Sequence, residues 1–199
     1  MSDFFIRFVD IEKAFGPNKV LRGVNLNVVR GETVVVLGGS GSGKSVLLRH
    51  AVGLVRPDAG QVFVEDLEIS KLGEDELQET RKKVGMLFQS GALFDSMTVR
   101  ENVSFALVEH TDWDERKVLA RAEEVLRLVE LEGALELMPS DLSGGMRKRV
   151  ALARAIALAP AAILYDEPTT GLDPITANTI NHLIRSLQKR LGVTSVVVT

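Results

Sequence analysis

A glycine-rich segment that ends in a lysine and a serine contains the residue types that bind phosphate groups. It fits the pattern G-x-x-x-x-G-K-[ST] and consists of Gly38, Gly39, Ser40, Gly41, Ser42, Gly43, Lys44 and Ser45, followed by Val46. Glycines let successive backbone N–H groups face phosphate oxygens, the lysine reaches the β- and γ-phosphates, and the serine hydroxyl ligates Mg²⁺. Gly38 to Val46 are therefore predicted to bind ATP and Mg²⁺, with Lys44 also acting in catalysis. Without a strand before it and a helix after it, the same segment would be an ordinary glycine-rich turn.

Two consecutive carboxylates follow an apolar run later in the chain. Ala162 to Tyr165 is typical of a buried strand, and Asp166 and Glu167 come directly after it. Nucleotides bind at the carboxyl ends of parallel strands, so Asp166 is predicted to hold Mg²⁺ through water. Glu167 is predicted to orient and polarise the attacking water, since phosphoryl transfer depends chiefly on positioning and charge stabilisation. Taken alone, such a strand end is more often a pair of solvated acids.

A second glycine-containing helix start lies between these two segments. Leu142 to Met146 precedes a predicted helix from Arg147 to Ala159. Ser143 is predicted to cap this helix, and Gly144 and Gly145 to expose backbone N–H groups at its positive end, as a further phosphate-binding element. The isolated segment could equally be an ordinary capped helix.

The elements around the first glycine-rich segment are predicted to place it between a strand and a helix. Phe5 to Leu37 reads as short strands with a turn at residues 16–18. Its last part, Thr33 to Leu37, is a continuous β-branched run that predicts a strand buried on both faces. The helix is predicted from Lys44 to Leu54, where Arg56 and the following proline end it.

The rest of the chain returns to the same strand-and-helix pattern after a helical section. Gln61 to Val64 and Val84 to Phe88 are predicted as a strand pair, and Val99 to Ala159 is predicted to be helical. A helix is expected to begin at Asp173, and Ser195 to Thr199 is predicted as a further buried strand. The fold class is therefore α/β with a mostly parallel sheet.

Composition excludes several classes of site and partner. The 199 residues carry a formal net charge of -3, contain no cysteine and include three histidines. A disulfide framework and a cysteine metal site are excluded, and nucleic acid is not expected as a partner because no excess of basic residues is present. The apolar cluster within Met1 to Asp10 is too short for a signal peptide, and the apolar stretch Ala151 to Leu164 is too short to span a bilayer.

These segments, in this order, resemble the ABC ATPase family, in which Leu142 to Met146 corresponds to the signature motif. The resemblance covers essentially the whole chain. It implies a P-loop NTPase with a RecA-like core, an N-terminal antiparallel β subdomain and an all-helical insertion at about residues 90–155. It also implies one domain over residues 1–199 and a head-to-tail homodimer, in which the signature of one subunit contacts the γ-phosphate held by the other.

The same resemblance implies roles for residues outside these motifs. Gln89 matches the glutamine that acts in catalysis and joins Mg²⁺ and nucleotide to a transmembrane partner. Phe15 matches the aromatic residue that stacks on adenine, where the family usually has tyrosine. Gly171 to Asp173 matches a loop that crosses the dimer interface. A core phenylalanine, a polar loop residue and a simple helix cap are the respective alternatives.

Two departures from the family pattern stand out. Met146 replaces the usual glutamine of the signature, which removes an amide that could hydrogen-bond across the interface. The family's histidine that contacts the γ-phosphate directly after the strand at residues 195–199 is absent, and His50, His110 and His182 lie elsewhere in the sequence. We therefore expect the chain to be truncated at its C-terminus.

The segment from Met86 to Val99, with Leu137 to Ser140, resembles the Mla/Mce-type phospholipid transporters. This implies transmembrane permease subunits, a lipid-binding Mce-type partner, and a peripheral position at the cytoplasmic face of the inner membrane. Ala92, Leu93, Phe94 and Met97 would line the groove that receives the permease; alternatively they belong to the helical core. A transporter ATPase for amino acids or lipoproteins, or a soluble ABC ATPase, remains open as an alternative.

Overall fold

The computed structural model describes residues 3–199; Met1 and Ser2, which begin the segment predicted to be too short for a signal peptide, lie outside the described residues. In chain order the strands are β1 (Phe4–Phe15), β2 (Asn18–Val29), β3 (Thr33–Val36), β4 (Ala59–Val64), β5 (Leu67–Glu68), β6 (Val84–Leu87), β7 (Ala162–Asp166) and β8 (Thr194–Val198). The helices are α1 (Lys44–Ala51), α2 (Glu74–Lys83), α3 (Val99–His110), α4 (Glu115–Leu128), α5 (Gly144–Ile156) and α6 (Pro174–Leu191).

The strands form two sheets of different type. An antiparallel sheet has the order β2-β1-β4-β5, and its first hairpin turns between Phe15 and Asn18, as predicted. A parallel sheet has the order β3-β8-β7-β6, with Leu87 of β6 opposite Tyr165 of β7 and Val198 of β8 opposite Asp166. The predicted α/β class with a mostly parallel core sheet is confirmed.

Two strand predictions place the strands correctly in the sequence but are wrong about their burial or their pairing partners. Thr33 to Leu37 is not buried on both faces, since β3 is an edge strand paired with β8 alone in the described chain, and Val35 and Leu37 are 52% and 75% exposed. β4 and β6 do not pair with each other, because β4 joins the antiparallel sheet and β6 the parallel sheet. Apolar content identifies a strand but does not identify its neighbours.

The parallel sheet separates two hydrophobic clusters. Along β7, Ala162 and Leu164 point into a cluster shared with α1 and the antiparallel sheet, whereas Ile163 and Tyr165 point into a cluster shared with the helices. This alternation follows from the two-residue period of a strand. Both faces of β7 are therefore covered, which fixes the position of the carboxylates at its end.

Most predicted helix starts are confirmed, but the helix predicted from Arg147 to Ala159 runs instead from Gly144 to Ile156. Asp114 and Asp173 cap α4 and α6 through their side chains, and α1 begins at Lys44 as predicted. α1 ends at Ala51, three residues before the predicted Leu54. Within residues 3–199, no helix is both long and apolar enough to cross a membrane.

The section predicted to be helical from Val99 to Ala159 contains α3, α4 and α5, which lie in sequence between β6 and β7. A non-helical connection follows α4 and includes a short 3-10 turn at Pro139–Asp141. The three helices pack on one another through the cluster that also covers one face of β7. The predicted helical insertion is confirmed, with that connection as its irregular part.

We predict that His50 makes stability depend on pH. His50 is buried in α1, its Nδ1 lies 2.6 Å from the Val46 carbonyl oxygen, and its Nε2 has no hydrogen-bond partner among the described residues. Burial lowers the pKa of His50 in the folded protein. The unfolded chain then binds the proton more readily, so stability is fully present above about pH 6.5 and falls as the pH decreases.

Urea unfolding at two pH values measures this effect. Between about pH 7.5 and pH 5.5, wild type should lose roughly 1 kcal/mol more of its free energy of unfolding than His50→Gln. His182 is exposed on α6 and provides the control, since His182→Gln should keep the wild-type dependence on pH. An equal loss in wild type and His50→Gln would contradict the prediction.

Candidate functional site

The glycine-rich segment forms the loop between β3 and α1, and Lys44 begins the helix. The Lys44 ammonium group donates hydrogen bonds to the carbonyl oxygens of Gly38 and Gly39, at 2.7 and 3.0 Å. Gly43 has a φ of 95°, and a Cβ there would lie 2.8 Å from Val20 Cγ1, so only glycine fits this position. The loop thus curls around a buried cation at a helix N-terminus, an arrangement suited to phosphate.

Ser45 and Asp166 meet beneath this loop. The Ser45 hydroxyl donates a 2.6 Å hydrogen bond to Asp166 Oδ1, and Asp166 is only 2% exposed. Hydroxyl, carboxylate and amide oxygens are hard ligands of the kind that Mg²⁺ prefers. The described residues contain no group of three or more histidine, cysteine or acidic side chains that could hold a metal ion by themselves. These two groups therefore fit a magnesium ion that takes its other ligands from phosphates and water, as is usual for Mg²⁺.

Glu167 lies directly beyond Asp166 in an uncommon backbone conformation. Its φ is 48°, in the left-handed region, and its N–H donates to the Val198 carbonyl at 3.0 Å. Glu167 Oε2 accepts a 2.6 Å hydrogen bond from the Thr170 hydroxyl, and Oε1 lies 3.3 Å from Lys44 Nζ. The Thr170 hydroxyl and then Lys44 hold the pKa of Glu167 below its usual range, so the carboxylate is ionised at neutral pH.

An open cleft of about 500 Å³ brings most of the predicted site residues together. Its walls include Ser40 to Val46, Gln89 and Glu167, together with Val20 and Thr170. Asp166 lies behind Ser45, and the Gly38 and Gly39 carbonyls face Lys44. The predicted convergence of the phosphate loop with the end of β7 is therefore present in the structure.

Other predicted residues lie outside this cleft. Phe15 ends β1, is 51% exposed and stands under Lys13, whose Nζ is 5.6 Å from the ring centre. Ser143 caps α5 by accepting from the Met146 N–H, and Gly144 and Gly145 form the first turn of that helix. None of these four residues lines the cleft. A role of Ser143 to Gly145 at a partner subunit's nucleotide, and of Phe15 at adenine, stays a prediction.

In the segment after β6, some side chains line a surface groove and others pack against the helical core. Ala92 and Phe94 line an apolar groove of about 400 Å³, together with Phe105 and Arg154. Leu93 instead packs against the helical core, and Met97 lines a neighbouring groove between α3 and α4. The expectation that all four residues line one groove is therefore wrong for Leu93 and Met97, because successive side chains of this loop point in different directions.

Two residues of the site were missed in the sequence. Thr170 is three residues after Glu167 and holds its carboxylate, and a hydroxyl at that spacing was the available signal. Lys148 is buried on α5, and its Nζ donates to the Gln89 carbonyl and lies 3.5 Å from the Glu167 carbonyl oxygen. A lysine on an otherwise apolar helix face was the signal for this residue.

The loop, the buried lysine and the serine–aspartate pair at the end of a parallel sheet define a P-loop nucleotide-binding domain. A family model described as ABC transporter matches residues 21–170 of the chain. The chain belongs to the ABC transporter family and is an ATPase domain of the ATP-binding cassette type.

Relatives and solved structures agree with this membership. The methionine import ATP-binding protein MetN of Mesorhizobium japonicum is 43% identical over 199 residues, which are 100% of this chain and 54% of that protein. The intermembrane phospholipid transport ATP-binding protein MlaF of Haemophilus influenzae is 44% identical over 183 residues, 92% of this chain and 69% of that protein.

The chloroplastic protein TRIGALACTOSYLDIACYLGLYCEROL 3 of Arabidopsis thaliana is 42% identical over 193 residues, 94% of this chain and 56% of that protein. The chain thus spans about half the length of most of these curated relatives. The dimeric post-hydrolysis structure of the ATP-binding cassette MJ0796, bound to ADP and phosphate, superposes with a TM-score of 0.89 at 37% identity. It covers 98% of this chain and 87% of that one, so the predicted fold is confirmed.

Proposed function

We propose that the whole protein binds and hydrolyses ATP and thereby drives an ABC membrane transporter. The observation that carries this proposal is the meeting of Lys44, Ser45, Asp166 and Glu167 around one cleft. A buried cation binds phosphate, an oxygen pair suits Mg²⁺, and an ionised carboxylate is held beside them by Thr170. These are the parts that ATP hydrolysis requires.

Each group has a distinct part in this mechanism. Lys44, now bonded to loop carbonyls, turns toward the β- and γ-phosphates when ATP occupies the loop, and stabilises the charge that develops on them. Ser45 directly and Asp166 through water would hold Mg²⁺, which when bound would neutralise phosphate charge. Glu167 orients the attacking water on the open side of the cleft and accepts a hydrogen bond from it. Gln89 lines the same cleft and is proposed to act in catalysis and to contribute a further magnesium ligand.

A complete site is proposed to need a second copy of the chain. Ser143 and Gly144 are exposed at the start of α5, whereas Gly145 is buried, contrary to the expectation that both glycines expose their N–H groups. None of the three lines its own subunit's cleft, which supports the use of this helix start at a partner's γ-phosphate. Ile175, next to the loop at residues 171–173, is strongly exposed, as expected of a residue covered in a homodimer. Phe15 would stack on adenine. We propose residues 1–199 as a single ABC ATPase domain, with the helical subdomain at about residues 90–155.

The apolar groove is the proposed docking site for a transmembrane permease. Phe94 is 41% exposed and packs against Phe105 in a tilted arrangement, with ring centres 5.0 Å apart. Buried Asn102 fixes the loop that carries Phe94, because its amide accepts from the Phe94 N–H and donates to the carbonyls of Phe94, Met97 and Thr98. A rigid apolar groove of this kind suits an amphipathic helix. Docking there would place the protein at the cytoplasmic face of the inner membrane.

For the cargo, we propose phospholipid of the Mla/Mce type, delivered with a lipid-binding Mce-type partner. The proposal is supported by the segment from Met86 to Val99, by Met146 in the signature, and by the likeness to MlaF. The likeness to MetN is similar in extent and supports methionine or another amino acid as the second candidate. The cleft does not discriminate between them, since it holds the groups that act on ATP.

Replacing Glu167 tests the hydrolytic role. Glu167→Gln keeps the shape and the hydrogen bond from Thr170 but cannot polarise water, so ATP turnover should fall by at least about 100-fold while ATP affinity is retained. ATP should then accumulate in a stable dimer, visible by light scattering. Glu123→Gln, at an exposed position on α4, is the matched control and should turn over ATP normally. Wild-type turnover by Glu167→Gln would refute the assignment.

Replacing Phe94 tests the docking groove. Phe94→Asp puts a charge into an apolar contact and should weaken association with the permease by about 30-fold or more. ATP affinity should stay at the wild-type value, because Phe94 lies outside the cleft. Leu67→Asp is the control, because Leu67 is a half-exposed residue on β5 of the antiparallel sheet, outside the groove. Normal recovery of the permease with Phe94→Asp would contradict this placement.

The cargo is tested on the native complex purified through this subunit. Phospholipid transport predicts glycerophospholipid bound to the complex in a stoichiometric amount, measured by mass spectrometry after extraction. Phe94→Asp protein purified in the same way should lack the permease and therefore the lipid. A lipid-free complex whose ATP turnover rises with methionine would instead support the amino-acid alternative.

A further inference from the structure

Lys148 is a buried cation for which the proposed mechanism has no use. It lies on α5 and is 5% exposed, and among residues 3–199 the buried lysines are Lys44 and Lys148. Lys44 is explained by the phosphates that it binds. A buried ammonium group loses its hydration, so polar partners must compensate for the lost hydrogen bonds to water.

The partners of Lys148 are two backbone carbonyls at the edge of the cleft. Its Nζ donates a hydrogen bond to the carbonyl of Gln89 and lies 3.5 Å from the carbonyl oxygen of Glu167. These residues follow β6 and β7, which are paired neighbours in the parallel sheet. One side chain from α5 thus joins the ends of two adjacent strands.

The charge of Lys148 is compensated in part by the site itself. Burial lowers the pKa of Lys148, whereas the negative charges of Asp166 and then Glu167 act in the opposite direction. The ammonium group is therefore attracted to the carboxylates of Asp166 and Glu167 and also contacts the two backbone carbonyls.

The Glu167 carbonyl belongs to a residue whose backbone needs support. Glu167 holds a left-handed conformation that is costly for a residue with a side chain. Its carbonyl also accepts from the Thr170 N–H at 3.2 Å, and its own N–H is held by Val198. Lys148 is the contact that links this strained peptide to the loop containing Gln89, and rotation of the peptide would displace the carboxylate that faces the cleft.

A second cation of α5 holds the same loop at its other end. Arg154 donates to the Gly91 carbonyl at 2.9 Å and to the Ala92 carbonyl at 2.8 Å, and its guanidinium carbon lies 5.6 Å from the centre of the Phe94 ring. Arg154 and Phe94 line the apolar groove. The segment from Gln89 to Ala92 is therefore held on α5 at two points, one beside the groove and one beside the cleft.

We propose that Lys148 is a positioning residue that couples the loop from Gln89 to Ala92 to the Glu167 peptide, so that displacement of this loop at the groove moves the Glu167 carboxylate in the cleft. This inference rests on the proposed function, since it assigns to Glu167 the water-polarising role. A displacement of about 1 Å at a reacting group can cost roughly 100-fold in rate, which makes a single backbone contact sufficient for control.

The test compares steady-state ATP hydrolysis by the full-length protein in its native complex with the permease. Lys148→Met keeps the aliphatic length and removes the N–H donors, and kcat should fall by about 30-fold or more while KM for Mg-ATP changes by less than about threefold. Lys148→Arg restores donors and charge and should recover kcat to within about fivefold of wild type. A residue that only supports the fold would change stability without this separation of kcat from KM.

Arg149→Met is the matched control on the same helix. Arg149 also donates to backbone carbonyls, those of Val129 and Glu130, but none of these residues lines the cleft. Its loss should leave kcat within about twofold of wild type. If Lys148→Met does not fold, Lys148→Leu, which also lacks N–H donors, takes its place, and a loss of kcat with unchanged KM supports the proposal.

Two results would overturn the proposal. One is a wild-type kcat in Lys148→Met, or in Lys148→Leu where that variant replaces it. The other is an equal loss of kcat in Arg149→Met. Measuring Glu167→Gln in parallel distinguishes a failure of the coupling proposal from a failure of the proposed function. If Glu167→Gln is inactive while Lys148→Met is normal, only the coupling role is wrong; if Glu167→Gln hydrolyses ATP normally, the hydrolytic assignment is wrong.

Discussion

Parallel pairing of β7 with β6 and β8 brings the ends of three strands to one edge, and the polar contacts of the cleft depend on that alignment. The pairing sets Asp166 beside Val198, whose carbonyl then accepts the N–H of Glu167. Because both faces of β7 are buried in separate clusters, the strand cannot shift along its neighbours without exposing apolar surface. The core thus fixes the backbone positions of Asp166 and Glu167, and the Thr170 hydroxyl then orients the Glu167 carboxylate within the cleft.

The same parallel sheet also positions the phosphate loop, which follows β3. β3 pairs with β8, so α1 starts at a fixed distance from the end of β7, and the Ser45 hydroxyl reaches Asp166. Lys44 Nζ lies 2.7 and 3.0 Å from the Gly38 and Gly39 carbonyl oxygens and 3.3 Å from Glu167 Oε1. Partial burial of these charges is unfavourable, and their mutual attraction offsets part of that cost. The Lys44 charge becomes useful when an anion enters the cleft.

The helix α5 relates this chemistry to the groove proposed for the permease. Its N-terminus carries Ser143 and the two signature glycines, its middle carries Lys148, and its last turns carry Arg154. One rigid element therefore touches the segment after β6, the peptide after β7 and the wall of the groove. Such an arrangement allows a general ATP site to serve transporters of different cargo, since the methionine import protein MetN and the phospholipid transport protein MlaF share the domain.

The sequence by itself determined the motifs, their order, the α/β class and the starts of most helices. These features are local, because a cap such as Asp173 bonds to N–H groups two and three residues away, and a glycine-rich loop needs only a strand before it and a helix after it. The tertiary structure alone decided that β3 lies at an edge, that β4 and β6 belong to different sheets, and that Lys148 contacts a carbonyl 59 positions away. Strand neighbours and buried charges depend on contacts between distant parts of the chain, and neither periodicity nor residue type encodes which distant partner is chosen.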